Sequence, residues 1–407
     1  MNITFGLLGR PPLVERAAHS AHVACEQGDL LGCTLATWVA QQLPAGAAVG
    51  VLLDCKSDRD NTTTLSTIPA HWLPPHVEPH RIRSRCLYGG VCLSAAAGRS
   101  SKRCSVGSRS LLRFLLASFP TTELYIKVDC DTVVLPHRIL AWALAQPMAA
   151  AMGLDSTRFY AGNTLKLPYF AYCRGVFSHA GSRPANHTCV RSTDGWAQLE
   201  ASIAGIPNTP ERQWMRRLCA NPPRGSRFLT GTKPNMRDVS GAERRAAAAA
   251  TAAKGALLVP PSVQMRCGGV RYARGGAYLL SRATLAAIVH HDCVSRVAAL
   301  SCNGWSDSSG DEGACEWNLE HEDAAVGLCA HLVGVGVGSV TSSACFNSLG
   351  HRLPDPTQCP WRSVLSSHAV KKSADYLSLW KNLSSLSSDT DEPGNWRLVA
   401  GMHATWG

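Results

Sequence analysis

The chain alternates short, continuous apolar runs with stretches in which apolar residues recur every three or four positions. ITFGLL, residues 3–8, is a run of the first kind; Gly9 and the Pro11-Pro12 pair close it, which predicts a buried strand. Helical spacing follows over 15–27 and again over 30–42. AAVGVLL, residues 47–53, predicts a second buried strand, with Asp54 at its carboxyl end, where open α/β sheets bind ligands. Residues 94–108 are rich in Ser, Gly and Arg and read as a loop. Leu111, Leu112, Leu115, Leu116 and Phe119 then recur with the spacing of an amphipathic helix that Pro120 stops. Residues 123–128 predict a short strand. Pro136 suits the first turn of the next helix, whose Ile139, Leu140, Ala143 and Leu144 face inward and which Pro147 ends.

The alternation breaks over 171–265, which holds Pro, Arg and Cys residues and the run AERRAAAAATAA (242–253); this reads as an insertion with some helix. Regular pattern resumes at 275–282, where Gly275 and Gly276 predict a turn into a strand, with a helix over 283–290. Residues 303–313 read as a polar loop, and Asp323 opens a helix to about residue 332. From Ser384 the chain is rich in Ser and Asp. Strands alternating with helices define an α/β class. The predicted organisation is one domain over 1–383, insertion-rich at 171–265, followed by a flexible tail over 384–407.

Composition narrows the class. With 45% hydrophobic and 17% charged residues, a chain of 407 can bury a large core, which excludes a disordered protein. Forty basic residues against 29 acidic leave a net charge of +11, suited to nucleic acid, an anionic membrane surface or a phosphate-bearing substrate. No helix-turn-helix, zinc-finger or RNA-binding signature accompanies that charge, which sets nucleic acid aside. Seventeen cysteines without one Cys-x-x-Cys argue against zinc ribbons and thioredoxin-like chemistry, and for disulfides in an oxidising compartment. The odd total leaves at least one cysteine unpaired in a monomer, and Cys130 is the candidate. Asn-x-Ser/Thr triplets at Asn2, Asn61, Asn186 and Asn382 agree with a secretory route. The opening MNITFGLLGRPP has no basic flank followed by a long apolar core. Two readings follow: a cytosolic protein, or a lumenal one whose membrane anchor precedes Met1. The cysteine count favours the second.

Three Asp-x-Asp pairs occur: Asp58/Asp60, Asp129/Asp131 and Asp389/Asp391. The first lies among Ser, Arg, Asn and Thr, the last in the polar tail. Asp129/Asp131 alone follows a strand-like run and precedes a helix. In extended backbone, residues i and i+2 share a face, so both carboxylates can meet one hard cation whose shell substrate phosphates complete. The alternative is a solvated strand end capping the next helix. Glu320-His321-Glu322-Asp323 opens a helix and could hold a catalytic base; the alternative is acids complementing the helix dipole. His368 is a candidate third metal ligand or a structural histidine.

Taken together and in order, these elements resemble the fringe-like, family 31 β-1,3-glycosyltransferases, most of all the core-1 N-acetylgalactosaminide β-1,3-galactosyltransferases. Arg16 with Ala36-Thr37-Trp38 resembles the early R…TW element. Residues 51–54 (VLLD) resemble the strand that ends by the nucleotide, and 125–132 (YIKVDCDT) resemble (F)LKADDDT. Tyr160-Ala161-Gly162 resembles Y-x-G, and 275–282 (GGAYLLSR) resemble GGAGYVLSR. Residues 322–327 (EDAAVG) resemble EDVxxG, and 367–370 (SHAV) resemble SFHYV. The chain departs from the pattern at Cys130, which replaces the middle acid, at one missing glycine, at Ala369 in place of tyrosine, and in the length of 171–265.

The resemblance implies a GT-A-type nucleotide-sugar glycosyltransferase fold with a central mixed sheet flanked by helices. It implies a UDP-sugar donor, with UDP-galactose expected first, a glycan acceptor on protein or lipid, and inversion at the anomeric carbon. It implies Mn²⁺ or another divalent cation held by Asp129, Asp131 and His368, and Asp323 as catalytic base. Asp54, Lys127, Asp129, Gly275 and Gly276 are implied at the nucleotide-sugar, and Glu322 and Tyr278 at the acceptor. A Golgi or secretory lumen and a type II membrane anchor are implied as the setting. A sister fringe-type N-acetylglucosaminyltransferase and a non-catalytic glycan-binding relative are the alternatives. A dinucleotide site at Gly334-x-Gly336-x-Gly338 lacks the required spacing and follows a helix instead of opening one.

Overall fold

Apolar runs without alternation are expected of strands covered on both faces, and the computed structural model of the chain places them in that setting. It describes residues 1–9, 12–41, 43–53, 68–73, 82–86, 106–145, 158–168, 200–201, 203–210, 212–213, 216, 269–294, 296–297, 322–335, 337–339, 345–346, 348–349, 356–357 and 359–386. Strands β1 (Ile3–Gly9), β2 (Ala47–Leu53), β3 (Ile82–Cys86), β4 (Leu124–Asp129), β6 (Tyr160–Pro168), β7 (Gly269–Ser281) and β8 (Val337–Ser339) form one sheet, ordered β3-β2-β1-β4-β7-β6-β8. The first four run parallel, β7 is antiparallel to both β4 and β6, and β8 is parallel to β6. A second, small sheet joins β5 (Val133–Val134), β10 (Ser366–His368) and β9 (Ser348–Leu349) in that order.

Helices cover both faces of the main sheet, as an α/β fold requires. One core gathers Phe5 and Leu7 of β1, Leu124, Ile126 and Val128 of β4, and residues of α2 (Ala21–Glu26), α3 (Leu30–Ala36) and α5 (Pro136–Ala145). The other gathers Tyr125 of β4 and Tyr278 of β7 with α4 (Val106–Ser118), α6 (Arg282–His290) and α7 (Glu322–Leu332). Strand periodicity of two therefore puts Tyr125, Lys127 and Asp129 on this second face. Helix α4 lies close on β1 and β2 because Gly6 and Gly50 leave the space that Leu115 fills; a Cβ on Gly50 would stand 2.7 Å from a Leu115 methyl.

Several elements differ from expectation for local reasons. The helix expected over 15–27 is broken into α1 (Val14–Ala17) and α2, because the Ser20 hydroxyl accepts from the Val23 N–H (3.3 Å) and starts a new helix. Helix α3 starts on its Asp29 cap, which accepts from the Gly32 N–H at 2.9 Å, and stops at Ala36 instead of near 42. There Thr37 leaves helical backbone and carries Trp38 into the core, its ring 5.5 Å from that of Phe5. Helix α4 begins inside the segment read as a loop. Gly275 and Gly276 lie within the 13-residue strand β7, not in a turn before it. Helix α8 (Ser373–Ser385) was not anticipated and runs two residues into the predicted tail; its serines conceal an inward stripe of Tyr376, Leu379 and Leu383. The alanine run 242–253 and most of 171–265 lie outside the described residues, as do 387–407.

Disulfides join Cys25 to Cys33 between α2 and α3, Cys293 to Cys329 between the end of α6 and α7, and Cys345 to Cys359 ahead of β10. Cys130 is the free cysteine among the described residues. No helix among them is long and apolar enough to cross a membrane. Leu115 is fully buried between α4 and the sheet, so Leu115→Ala is expected to lower stability by about 3 kcal/mol. Urea denaturation measures this; a loss below about 1 kcal/mol would show that the face is not close-packed.

Candidate metal centre

The chain builds β1, β2 and β3 outward in one direction and then places β4 on the other side of β1. Such a reversal opens a crevice at the carboxyl ends of the parallel strands. Asp129 is the last residue of β4 and stands at that crevice. Beyond it the backbone turns, with the Thr132 N–H donating to the Asp129 carbonyl at 3.0 Å. The two acids therefore meet across a turn, not through the extended i, i+2 geometry that the spacing suggested. Cys130, at the turn, sends its thiol away from them to the Leu8 carbonyl of β1 (3.3 Å). Burial, and then the charges of Asp129, Asp29 and Asp131, push this thiol well above its ordinary range. It is a neutral packing group and not a metal ligand.

His368, at the end of β10, completes the group. Its Nε2 lies 3.4 Å from Asp131 Oδ1 and 3.8 Å from Asp129 Oδ2. One ligand atom from each of Asp129, Asp131 and His368 falls within 4.8 Å of the others, an arrangement that could bind a metal ion. The fit is supported by Asp131 Oδ1, which is buried and accepts no hydrogen bond in the protein. Two carboxylates and an imidazole offer oxygen and nitrogen donors, with no thiolate among them, to a divalent cation.

Two lysines hold the acids in place. Lys127, 2% exposed, pairs with Asp129 Oδ1 at 2.7 Å and donates to the Gly275 carbonyl at 2.7 Å, with its ammonium 5.5 Å from the centre of the Tyr278 ring. Lys371, whose side chain is 71% exposed, reaches back to Asp131 Oδ2. Burial alone would raise the Asp131 carboxyl, but His368 and Lys371 beside it outweigh that effect and bring it down to about 2. The return of the chain is sharp. Ala369 adopts a positive φ of 67°, and the Val370 N–H donates to the Asp131 carbonyl at 3.0 Å.

The paired glycines join this group to Asp323. Between β6 and β7, Arg274, Gly275, Gly276 and Ala277 oppose Asn163 alone, so β7 bulges toward the strand ends. The Gly276 carbonyl accepts from the Thr132 hydroxyl (3.0 Å), and a Cβ on Gly276 would stand 2.2 Å from His368 Cγ. The Gly275 N–H donates to Asp323 Oδ2 at 2.9 Å, while Asp323 Oδ1 accepts from the Ala324 N–H at 2.8 Å. Asp323 is thereby oriented at the start of α7, half-buried, beside Tyr272. Burial, and then the Asp323 charge, push the Tyr272 phenol above its ordinary range.

The structure thus brings Lys127, Asp129, Asp131, Gly275, Gly276, Asp323 and His368 into one connected group. Tyr278 is fully buried and meets Tyr160 edge-on with ring centres 5.9 Å apart, so it serves the core and presents no face to an acceptor. Glu322 opens α7. Asp54, Glu320 and His321 lie outside the described residues. Lys371 and Tyr272 escaped sequence reasoning, because the turn at Ala369 and strand β7 bring them to Asp131 and Asp323 from distant parts of the chain. Thr132 follows Asp131 directly, and its bond to the Gly276 carbonyl depends on the bulge. Comparison with models of known protein families and with curated proteins gives no match.

Two expectations follow. Gly276→Ala should displace the His368 ring and weaken Mn²⁺ binding about tenfold or more, measured by calorimetric titration; unchanged affinity would exclude His368 as a ligand. Asp131, depressed from 3.8 to about 2, favours the charged form in the folded state and contributes about 2 kcal/mol. That stability is fully present above about pH 4 and disappears as pH falls toward 2. Acid unfolding of the metal-free protein should show it, and Asp131→Asn should remove that part of the pH dependence.

Proposed function

We propose that the chain is an inverting, divalent-cation-dependent UDP-sugar glycosyltransferase of GT-A type that forms β-1,3 linkages, with galactose as the transferred sugar. The observation that carries this reading is the joining of Asp129, Asp131 and His368 into one group of potential ligands. These acids sit at a strand-end crevice, and the bulge of β7 connects them to an oriented carboxylate at Asp323. A single continuous mixed sheet agrees with the same reading.

In this reading Asp129, Asp131 and His368 hold the cation, which when bound offsets the charge of the donor diphosphate and of the leaving nucleotide. Asp323 accepts the proton of the acceptor hydroxyl as that oxygen attacks the anomeric carbon from the face opposite the diphosphate. The backbone N–H groups of Gly275 and Ala324 fix the carboxylate for that task. Lys127 keeps Asp129 at the strand end and is itself too buried to meet solvent. The excess of basic residues suits an anionic donor. The disulfides favour an oxidising compartment, and we infer the secretory lumen as the setting.

One observation favours a second reading, that of a non-catalytic glycan-binding relative: Asp129 and Asp131 are each already paired with a lysine. Transfer assays with a panel of UDP-sugars separate the two. Mn²⁺-dependent transfer from UDP-galactose is expected, with Asp129→Asn plus Asp131→Asn abolishing it. Transfer that survives this double substitution would remove the cation assignment. Asp323→Asn should retain UDP binding and lower turnover by about a hundredfold or more. Normal turnover in that variant would remove Asp323 as base, and failure of the wild-type protein to bind UDP would favour the second reading.

A further inference from the structure

The two lysines at the carboxylates differ in one respect that matters for a cation. Lys127 is enclosed in the sheet and also held by the Gly275 carbonyl, so its charge cannot leave Asp129. Lys371 projects from the surface on a flexible four-carbon stem, and its ammonium reaches Asp131 from outside. The backbone is shaped to bring it there. The positive φ of Ala369 and the bond from the Val370 N–H to the Asp131 carbonyl fold the chain back directly after His368.

We propose that Lys371 is a tethered counter-ion that occupies Asp131 until a divalent cation displaces it. The inference rests on the reading of Asp129, Asp131 and His368 as a divalent-cation site. Counting charges gives the reason. Two carboxylates, Lys127 and Lys371 sum to zero, so the empty site is balanced. A divalent cation added beside both lysines would leave the group at +2, with the ammonium against the ion on the same carboxylate. With Lys371 displaced into water the remaining charge is +1, which the anionic diphosphate of a donor then offsets. Lys371 thus lowers affinity for the bare cation and favours its arrival together with a diphosphate.

Calorimetric titration of Mn²⁺ at fixed pH and without nucleotide tests this on the wild-type chain, Lys371→Met and Lys371→Arg. Because Lys371 is exposed, neither substitution disturbs the core. Lys371→Met is expected to bind Mn²⁺ about fivefold more tightly than wild type, the scale of losing one solvent-exposed ion pair. Lys371→Arg, which keeps the charge, should stay close to wild type. Equal or weaker binding by Lys371→Met would overturn the counter-ion role while leaving the cation site standing, as would Lys371→Arg binding as tightly as Lys371→Met. Absence of Mn²⁺ binding in all three chains would overturn the cation reading and the inference with it.

Discussion

An ammonium enclosed in a sheet must have an anion beside it, and the pair of Lys127 with Asp129 meets that demand. Removing one partner of such a buried pair typically costs about 3–5 kcal/mol, because the charge left behind has no water to turn to. Asp129 is therefore fixed at the end of β4 by the core itself. The same ammonium recruits the Gly275 carbonyl, which ties the bulge of β7 to the strand end. The bulge in turn sets Gly276 beneath His368 and directs the Gly275 N–H at Asp323. A single buried charge thus connects the interior of the sheet to Asp129, to the glycine bulge and, through it, to Asp323.

How much of this was visible beforehand depended on whether the cause was local. β1, β2 and α5 stood out because uninterrupted apolar runs and a proline at the first helical turn need no distant partner to be understood. Helices α1 and α2 were merged into one, since the cap at Ser20 acts within three residues and competes with a continuous apolar pattern. Helix α3 starts where expected but ends early, because Thr37 leaves helical backbone. Asp129, Asp131 and His368 were singled out correctly as a group. The reason assigned to the two acids was mistaken, because a turn and not extended backbone joins them. Lys371 could not have been found from spacing alone. It reaches Asp131 across 240 positions of chain, on a turn made by an alanine in a conformation that alanine rarely adopts.

His368 is held from the other side by a different kind of restraint. The small sheet β5-β10-β9 sets its backbone, pairing Ser367 with Val133 just after the acidic turn. Arg138 of α5 donates to the carbonyls of Trp361 (2.8 Å), Val364 (3.1 Å) and Leu383 (2.9 Å). It thereby secures both the approach to β10 and the end of α8. The disulfide between Cys345 and Cys359 closes the loop ahead of the same strand. The histidine therefore depends on hydrogen bonds and a covalent link at the periphery, whereas Asp129 depends on the core.

The place of β4 in the strand order has a consequence for how the protein is made. Its first neighbour, β1, precedes it in the chain, but 148 positions separate Lys127 from the Gly275 carbonyl of its second neighbour, β7. At ordinary rates of synthesis that interval lasts on the order of ten seconds. Throughout it β4 is the open edge of a growing sheet, with a row of unpaired N–H and C=O groups available to any other emerging strand. A lysine is among the side chains that discourage such pairing, and Lys127 occupies that edge until β7 arrives. The charge that later organises the crevice is thus of the kind that discourages edge pairing before β7 completes the sheet.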